Sequence, residues 1–103
     1  MVIVGGTFAV EAERREEFLA GQLELMRISR AEAGCLEYTF SADPLEPDRV
    51  VLFERWATQE DLDAHLRAAD ARRAAGASPG AGVAALSSSI VVYEVSGERT
   101  LQR

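Results

Sequence analysis

Between Leu36 and Leu66 the chain leaves itself few folds to choose from. Leu36, Tyr38 and Phe40 alternate with Glu37, Thr39 and Ser41, the period of a strand with one face in a core. Asp43-Pro44 and Glu46-Pro47-Asp48 follow at once, and acids beside prolines are the chemistry of a chain reversal. A second strand, Arg49 to Ala57, stops where Thr58 can cap a helix. Asp61 stands three residues on, with an apolar face of Leu62, His65, Leu66 and Ala69 behind it. A hairpin that feeds directly into a capped helix is the expected centre of the fold.

The flanking segments fit around that centre. Val2 to Val10 reads as a strand in which Gly5-Gly6 marks a bulge or a close approach by another group. Glu11 to Ala31 reads as a helix: Phe18, Leu25 and Met26 form a buried stripe, acids crowd the first turns, Arg27 and Arg30 the last, and Gly34 is the stop. Residues 76–89 are small and aperiodic and read as a flexible loop, Ile90 to Val95 as the final strand, and 96–103 as a polar tail. At 103 residues there is room for one domain, 1–103, and one modest core. Strand, helix, strand, strand, helix, strand is the α+β, ferredoxin-like βαββαβ order with an antiparallel sheet. Two helices cover one face of such a sheet. Yet Val2-Ile3-Val4, Val50-Val51-Leu52-Phe53 and Ile90-Val91-Val92-Tyr93 are apolar at consecutive positions, so both faces expect burial. A second copy of the sheet is the simplest cover, which predicts a homodimer.

Composition removes several classes of chemistry. A net charge of −6 with scattered arginines gives no basic stripe, so neither nucleic acid nor an anionic membrane is an expected partner. No apolar run approaches a membrane span and the first residues do not resemble a secretory leader, so the expected location is cytoplasmic. All eleven basic residues are arginine, which excludes a lysine Schiff base. One histidine and one cysteine cannot build a closed zinc site, and Gly5-Gly6 lacks the order of a dinucleotide fingerprint. No metal, flavin or other cofactor is expected. Cys35 stands alone at a strand start with no histidine near it in sequence, and reads as a small hydrophobe rather than a nucleophile.

The pattern E-x-G-C-L-x-Y at Glu32 to Tyr38, then F-E-x-W at Phe53 to Trp56, then a helix carrying Ala64-His65-Leu66, resembles the antibiotic biosynthesis monooxygenase family. These are small dimeric α+β-barrel proteins that include quinol monooxygenases. The resemblance implies oxidation of a phenolic or quinol-type, polyketide-like aromatic by molecular oxygen without metal or flavin, the substrate supplying the electrons. It implies His65 as the base, Glu54 as the group that holds its orientation, and Trp56 with Tyr38 as walls and donors of a flat slot that Phe53, Leu62 and Tyr93 complete. The chain also departs from the family. Some members use an asparagine beside the tryptophan and the haem-degrading ones need asparagine, tryptophan and histidine, whereas this chain has no asparagine, so haem degradation is not the expected chemistry. Where members often carry Ser-Pro-His and an aromatic after the helix histidine, this chain has Ala68-Ala69-Asp70 and Ala71-Arg72-Arg73, which implies a wider or more polar cavity there.

Each candidate has a structural reading beside the functional one. His65 on an apolar stripe can be a satisfied boundary residue, and Trp56 can be core. Glu54 shares its side of the strand with Val50, Leu52 and Trp56, so its carboxyl needs a partner, with His65, Arg55 and Arg49 in reach. Tyr38 and Tyr93 can be strand packing. Two other functions therefore stand beside the oxygenase: a non-catalytic dimer that binds a small ligand, and an isomerase or cyclase-like acid-base enzyme on the same fold.

Overall fold

In the computed structural model, which describes residues 1–77 and 82–103, four strands form one antiparallel sheet with helices on one face. In chain order these are β1 (Val2–Ala9), α1 (Arg15–Gly21), α2 (Leu23–Arg30), β2 (Cys35–Ala42), β3 (Arg49–Trp56), α3 (Gln59–Ala74) and β4 (Ser87–Glu94), with a single 3-10 turn at Ala12–Arg14 before α1. The strand order β2-β3-β1-β4 puts β1 and β3 at the centre, as the ferredoxin-like order requires.

Alternation decides which side chains enter the core. Val2 and Val4 of β1, Tyr38 and Phe40 of β2, and Val50, Leu52, Glu54 and Trp56 of β3 are all buried under the helices, with Val10, Phe18 and Leu62 packed over them. Phe8, Phe18 and Phe40 meet with centroids 5.6 to 6.5 Å apart, and Tyr38 carries the aromatic row on to Trp56 at 6.4 Å. The opposite face is open. Phe53 there is 38% exposed and Tyr93 55% exposed.

The hairpin and the helix cap form as their residues dictate. The Asp43 carboxylate accepts from the amides of Leu45 (2.8 Å) and Glu46 (3.3 Å) and from the Arg49 guanidinium (2.6 Å), so the turn is closed by its first acid. Arg15 at the start of α1 donates to the carbonyls of Asp43 (2.9 Å) and Glu46 (2.8 Å), tying the turn to the helix layer. Thr58 accepts from the Asp61 amide at 3.1 Å and donates to its carboxylate at 2.9 Å, which fixes where α3 begins. Arg30 at the end of α2 donates to the Tyr38 carbonyl (2.9 Å) and Thr39 hydroxyl (3.1 Å), holding that helix over β2.

Several boundaries differ from the sequence reading. The helix expected over 11–31 is broken at Gln22, whose amide bonds Leu19 in a tighter turn; Gly21, a poor helix former, precedes the break and Gln22 is buried instead of facing water. The last strand begins at Ser87 rather than Ile90 and ends at Glu94, because the Ser87–Ser89 backbone pairs with Thr7–Ala9 whatever the side chains. Of the loop expected over 76–89, residues 78–81 lie outside the described ones. At Gly5-Gly6 the ladders run on without a bulge, and the close approach is real: a Cβ on Gly6 would stand 3.0 Å from Cγ1 of Ile90.

Gly34 is the hinge between α2 and β2. Its φ of +77° is left-handed, and a Cβ there would also stand 2.7 Å from Cβ of Asp61. Its carbonyl meanwhile accepts from the Ala57 amide at 2.8 Å, joining the end of β3. Gly34→Ala should therefore lower stability by about 1 to 3 kcal/mol, read as a fall in the urea midpoint with an unchanged slope. An unchanged midpoint would mean that the turn re-forms without glycine.

Candidate functional site

A cavity of about 480 Å³ lies between the sheet and the helices, within the range of small-molecule sites. Its floor is Val4, Leu52, Ile90 and Val92, and its walls include Phe18, Phe40 and Leu62. The polar groups in this apolar lining are few and come from particular elements. Glu54 rises from β3, Tyr38 from β2, Gln22 from the joint between α1 and α2, and His65, Arg72 and Arg73 descend from α3, where the spacing Leu62, His65, Ala69, Arg72 turns one helix face to the cavity.

His65 is held from three sides. Its Nδ1 lies 2.6 Å from Oε1 of Glu32, in the turn after α2. Its ring packs on Trp56 with centroids 4.7 Å apart and on Tyr38 at 5.4 Å. An ionised carboxylate only accepts, so the contact with Glu32 places the hydrogen on Nδ1 and leaves Nε2 as the ring's basic atom. The wall residue is thus an oriented imidazole rather than a loose one.

Glu54 is buried and its Oε1 accepts from the Trp56 indole at 2.9 Å. Burial pushes its carboxyl above the usual carboxylate range, opposed by the Trp56 hydrogen bond and by His65. Burial likewise raises the Tyr38 phenol, with the Glu54 charge adding to it, so Tyr38 stays a neutral donor. Burial, then the charge of Glu32, raises the thiol of Cys35, which keeps it protonated and unreactive. Among the described residues, no group of three or more His, Cys, Asp or Glu side chains could hold a metal ion.

The residues singled out in the sequence divide into three sets. His65, Glu54, Tyr38 and Leu62 all line the cavity. Trp56 is fully buried behind it, touching His65 and Glu54 without reaching the open space. Phe53 and Tyr93 sit on the other face of the sheet: Phe53 pairs across from Gly5 and Tyr93 from Ile3, out of phase with Leu52, Glu54, Ile90 and Val92. Neither Arg49 nor Arg55 is the partner of Glu54, since Arg49 pairs with Asp43 and Arg55 lies on the open face. Glu32 was not singled out, although it opens the E-x-G-C motif. A carboxylate just before a left-handed glycine stands beside the start of α3, and that is the signal that could have found it.

Comparison with known proteins fits this geometry. A protein of Synechocystis sp., sll1783, is 33% identical over 66 residues, covering 64% of this chain but 45% of that longer protein. YcnE of Bacillus subtilis, named as a candidate monooxygenase, is 31% identical over 65 residues, 63% of this chain and 68% of its own. The chain thus spans less than half the length of the first of these relatives. Among solved structures, a candidate antibiotic biosynthesis monooxygenase from Deinococcus radiodurans superposes with a TM-score of 0.76 at 24% identity over 100% of both chains. The heme-degrader MhuD of Mycobacterium tuberculosis, solved with two hemes in its active site, gives 0.72 at 17% identity over 97% of this chain and 100% of its own. At such identities these two speak for the fold alone. The model of the antibiotic biosynthesis monooxygenases matches residues 1–77, three strands and all the helices, and with it the Glu32, Glu54, Trp56 and His65 cluster, so the chain belongs to the antibiotic biosynthesis monooxygenase family.

Proposed function

We propose that this chain is a cytoplasmic, cofactor-independent monooxygenase that oxidises a phenolic or quinol-type aromatic with molecular oxygen in the cavity under α3. The observation that carries the reading is the imidazole of His65, fixed by Glu32 at 2.6 Å, on the wall of an apolar space of aromatic size. Loss of a phenolic proton to Nε2 makes an electron-rich anion that can give electrons to oxygen. The balance needs no outside reductant when a ring CH₂ becomes a carbonyl: one oxygen atom enters the carbon, and the other leaves as water with both hydrogens. The Tyr38 hydroxyl is the donor available to steady negative charge as it develops, and Glu54, whose carboxyl burial raises above the usual carboxylate range, stands beside it in the same cavity. Trp56 and Glu32 are positioning residues, the first through Glu54 and the ring of His65, the second through the tautomer.

The same pair favours one second reading. A base at His65 and an acid at Glu54 in one cavity could move a proton within a substrate, as an isomerase or cyclase would. Oxygen uptake tells the two apart. We also propose that the chain works as a homodimer through its open sheet face, where Phe53, Val91 and Tyr93 would each forgo about 1.5 to 3 kcal/mol of burial in a monomer.

Three outcomes are expected. With a polycyclic phenol and an oxygen electrode, His65→Ala should lower turnover by roughly 10²- to 10⁴-fold, with Glu32→Gln in between. Unchanged uptake in a folded His65→Gln protein would make His65 a packing residue. For Glu54 the sign follows from its raised value. The folded state binds the proton more tightly than the unfolded chain, so stability falls as pH rises from about 4.3 through the higher folded value. Relative to Glu54→Gln, which keeps an acceptor for Trp56, the natural chain should lose urea stability across that window, and parallel curves would show an ordinary, solvated carboxyl. Sedimentation at micromolar concentration should find two copies, whereas a soluble monomer there contradicts the pairing.

A further inference from the structure

The cavity contains a charge that the reaction proposed above does not use. Arg72, in the last turn of α3, lines the space, and one terminal nitrogen of its guanidinium is buried with no hydrogen-bond partner among the described residues. Its neighbour Arg73 also borders the space, but that side chain is exposed and pairs with Asp70. An arginine that served only the helix terminus would keep its head in water, as Arg73 does. A guanidinium nitrogen buried in a cavity wall without a protein acceptor is instead placed to donate to a bound ligand.

The other titratable groups give that donor a direction. Glu54 lines the cavity beside His65, and Glu32 stands behind the imidazole, so the His65 end is acidic. Arg72 and Arg73 line the same cavity two turns further along α3. From His65 to Arg72 is seven residues along one helix face, about 10 Å at the α-helical rise, the span of a few fused rings. A ligand with a hydroxyl at one end and a negative group at the other is repelled in one orientation and held in the other.

We propose that Arg72 is the specificity residue of this cavity, selecting flat aromatic ligands that carry an anionic group, such as a carboxylate, remote from the hydroxyl that meets His65. The orientation towards His65 rests on the oxidation proposed above; the anion preference does not. Arg72 takes no part in proton transfer and acts on which molecule binds, and which way round.

A matched pair of dyes tests it by fluorescence titration at fixed salt: 1-anilinonaphthalene-8-sulfonate and N-phenyl-1-naphthylamine share a ring framework and differ by the sulfonate. The natural chain should bind the anionic dye roughly tenfold more tightly than the neutral one. Arg72→Gln should abolish that preference with little change for the neutral dye, and Arg72→Lys should keep most of it. Ala69→Trp, which fills the cavity between His65 and Arg72, should remove binding of both. Equal affinity for the two dyes, equal weakening of both by Arg72→Gln, or anion binding that survives Ala69→Trp would each overturn the assignment. Oxygen uptake is not a readout here. A chain that never oxidises a phenol yet prefers the anionic dye through Arg72 loses the first proposal and keeps this one, and the converse result separates them the other way.

Discussion

The indole of Trp56 is the fixed point of this structure, because two buried polar side chains depend on it. Its NH goes to Glu54 and its ring face meets His65, so neither the carboxyl nor the imidazole stands among aliphatic atoms without a contact suited to it. Backbone connections converge at the same place. Trp56 pairs with Val2 of β1 and with Cys35 of β2, the next amide, Ala57, bonds Gly34, and Thr58 then caps α3. A disturbance at this corner reaches the strand ends, the glycine turn and the start of the helix together. His65 inherits its place from that corner, seven residues past the cap.

Local rules made the fold readable. Period-two apolar residues, proline turns and the Thr58 cap each commit a few residues at a time, and they agree with one another, which is the consistency that lets a sequence specify one topology. The misplaced boundaries are those set by partners instead. Gln22 breaks a helix because its side chain is buried in the core, and Ser87 to Ser89 are strand because β1 offers them a ladder. The site was legible to the same extent. Glu54 and Tyr38 follow from alternation, and His65 and Leu62 from the helix face. Phe53 and Tyr93 fail the alternation that places their neighbours, so their aromatic character outweighed their phase. Glu32 meets His65 across 33 residues of sequence, a distance no local pattern spans.

The cavity is also where the chain forgoes stability. An apolar residue in place of Glu54 would avoid the desolvation that raises its carboxyl, and a leucine at 65 would need no counter-carboxylate. Neither group strengthens the core as much as a well-packed aliphatic side chain would, and both line the same open space. Structural polar groups in cores are normally enclosed on all sides, whereas these two are satisfied on one side and open on the other. That asymmetry is what sets the proposed site apart from a buried ion pair, and Arg72, one terminal nitrogen of which is buried with no partner among the described residues, extends it along α3.

The last strand links this cavity to the open face. β4 is an edge, paired only to β1, and its four apolar residues divide by alternation: Ile90 and Val92 floor the cavity while Val91 and Tyr93 face outward. Ile90 is seated against Gly6, which gives the strand one close contact from within, yet Ile90 and Val92 are each about half exposed. Little beyond the β1 ladder therefore fixes this wall in a single copy. A partner that covered Val91 and Tyr93 would restrain the same backbone that positions Ile90 and Val92, because successive side chains of a strand share one rigid pleat. Pairing through the outer face would then order the cavity wall without contributing an atom to it, and substitutions at Val91 or Tyr93 would reach the ligand only through the set of the strand.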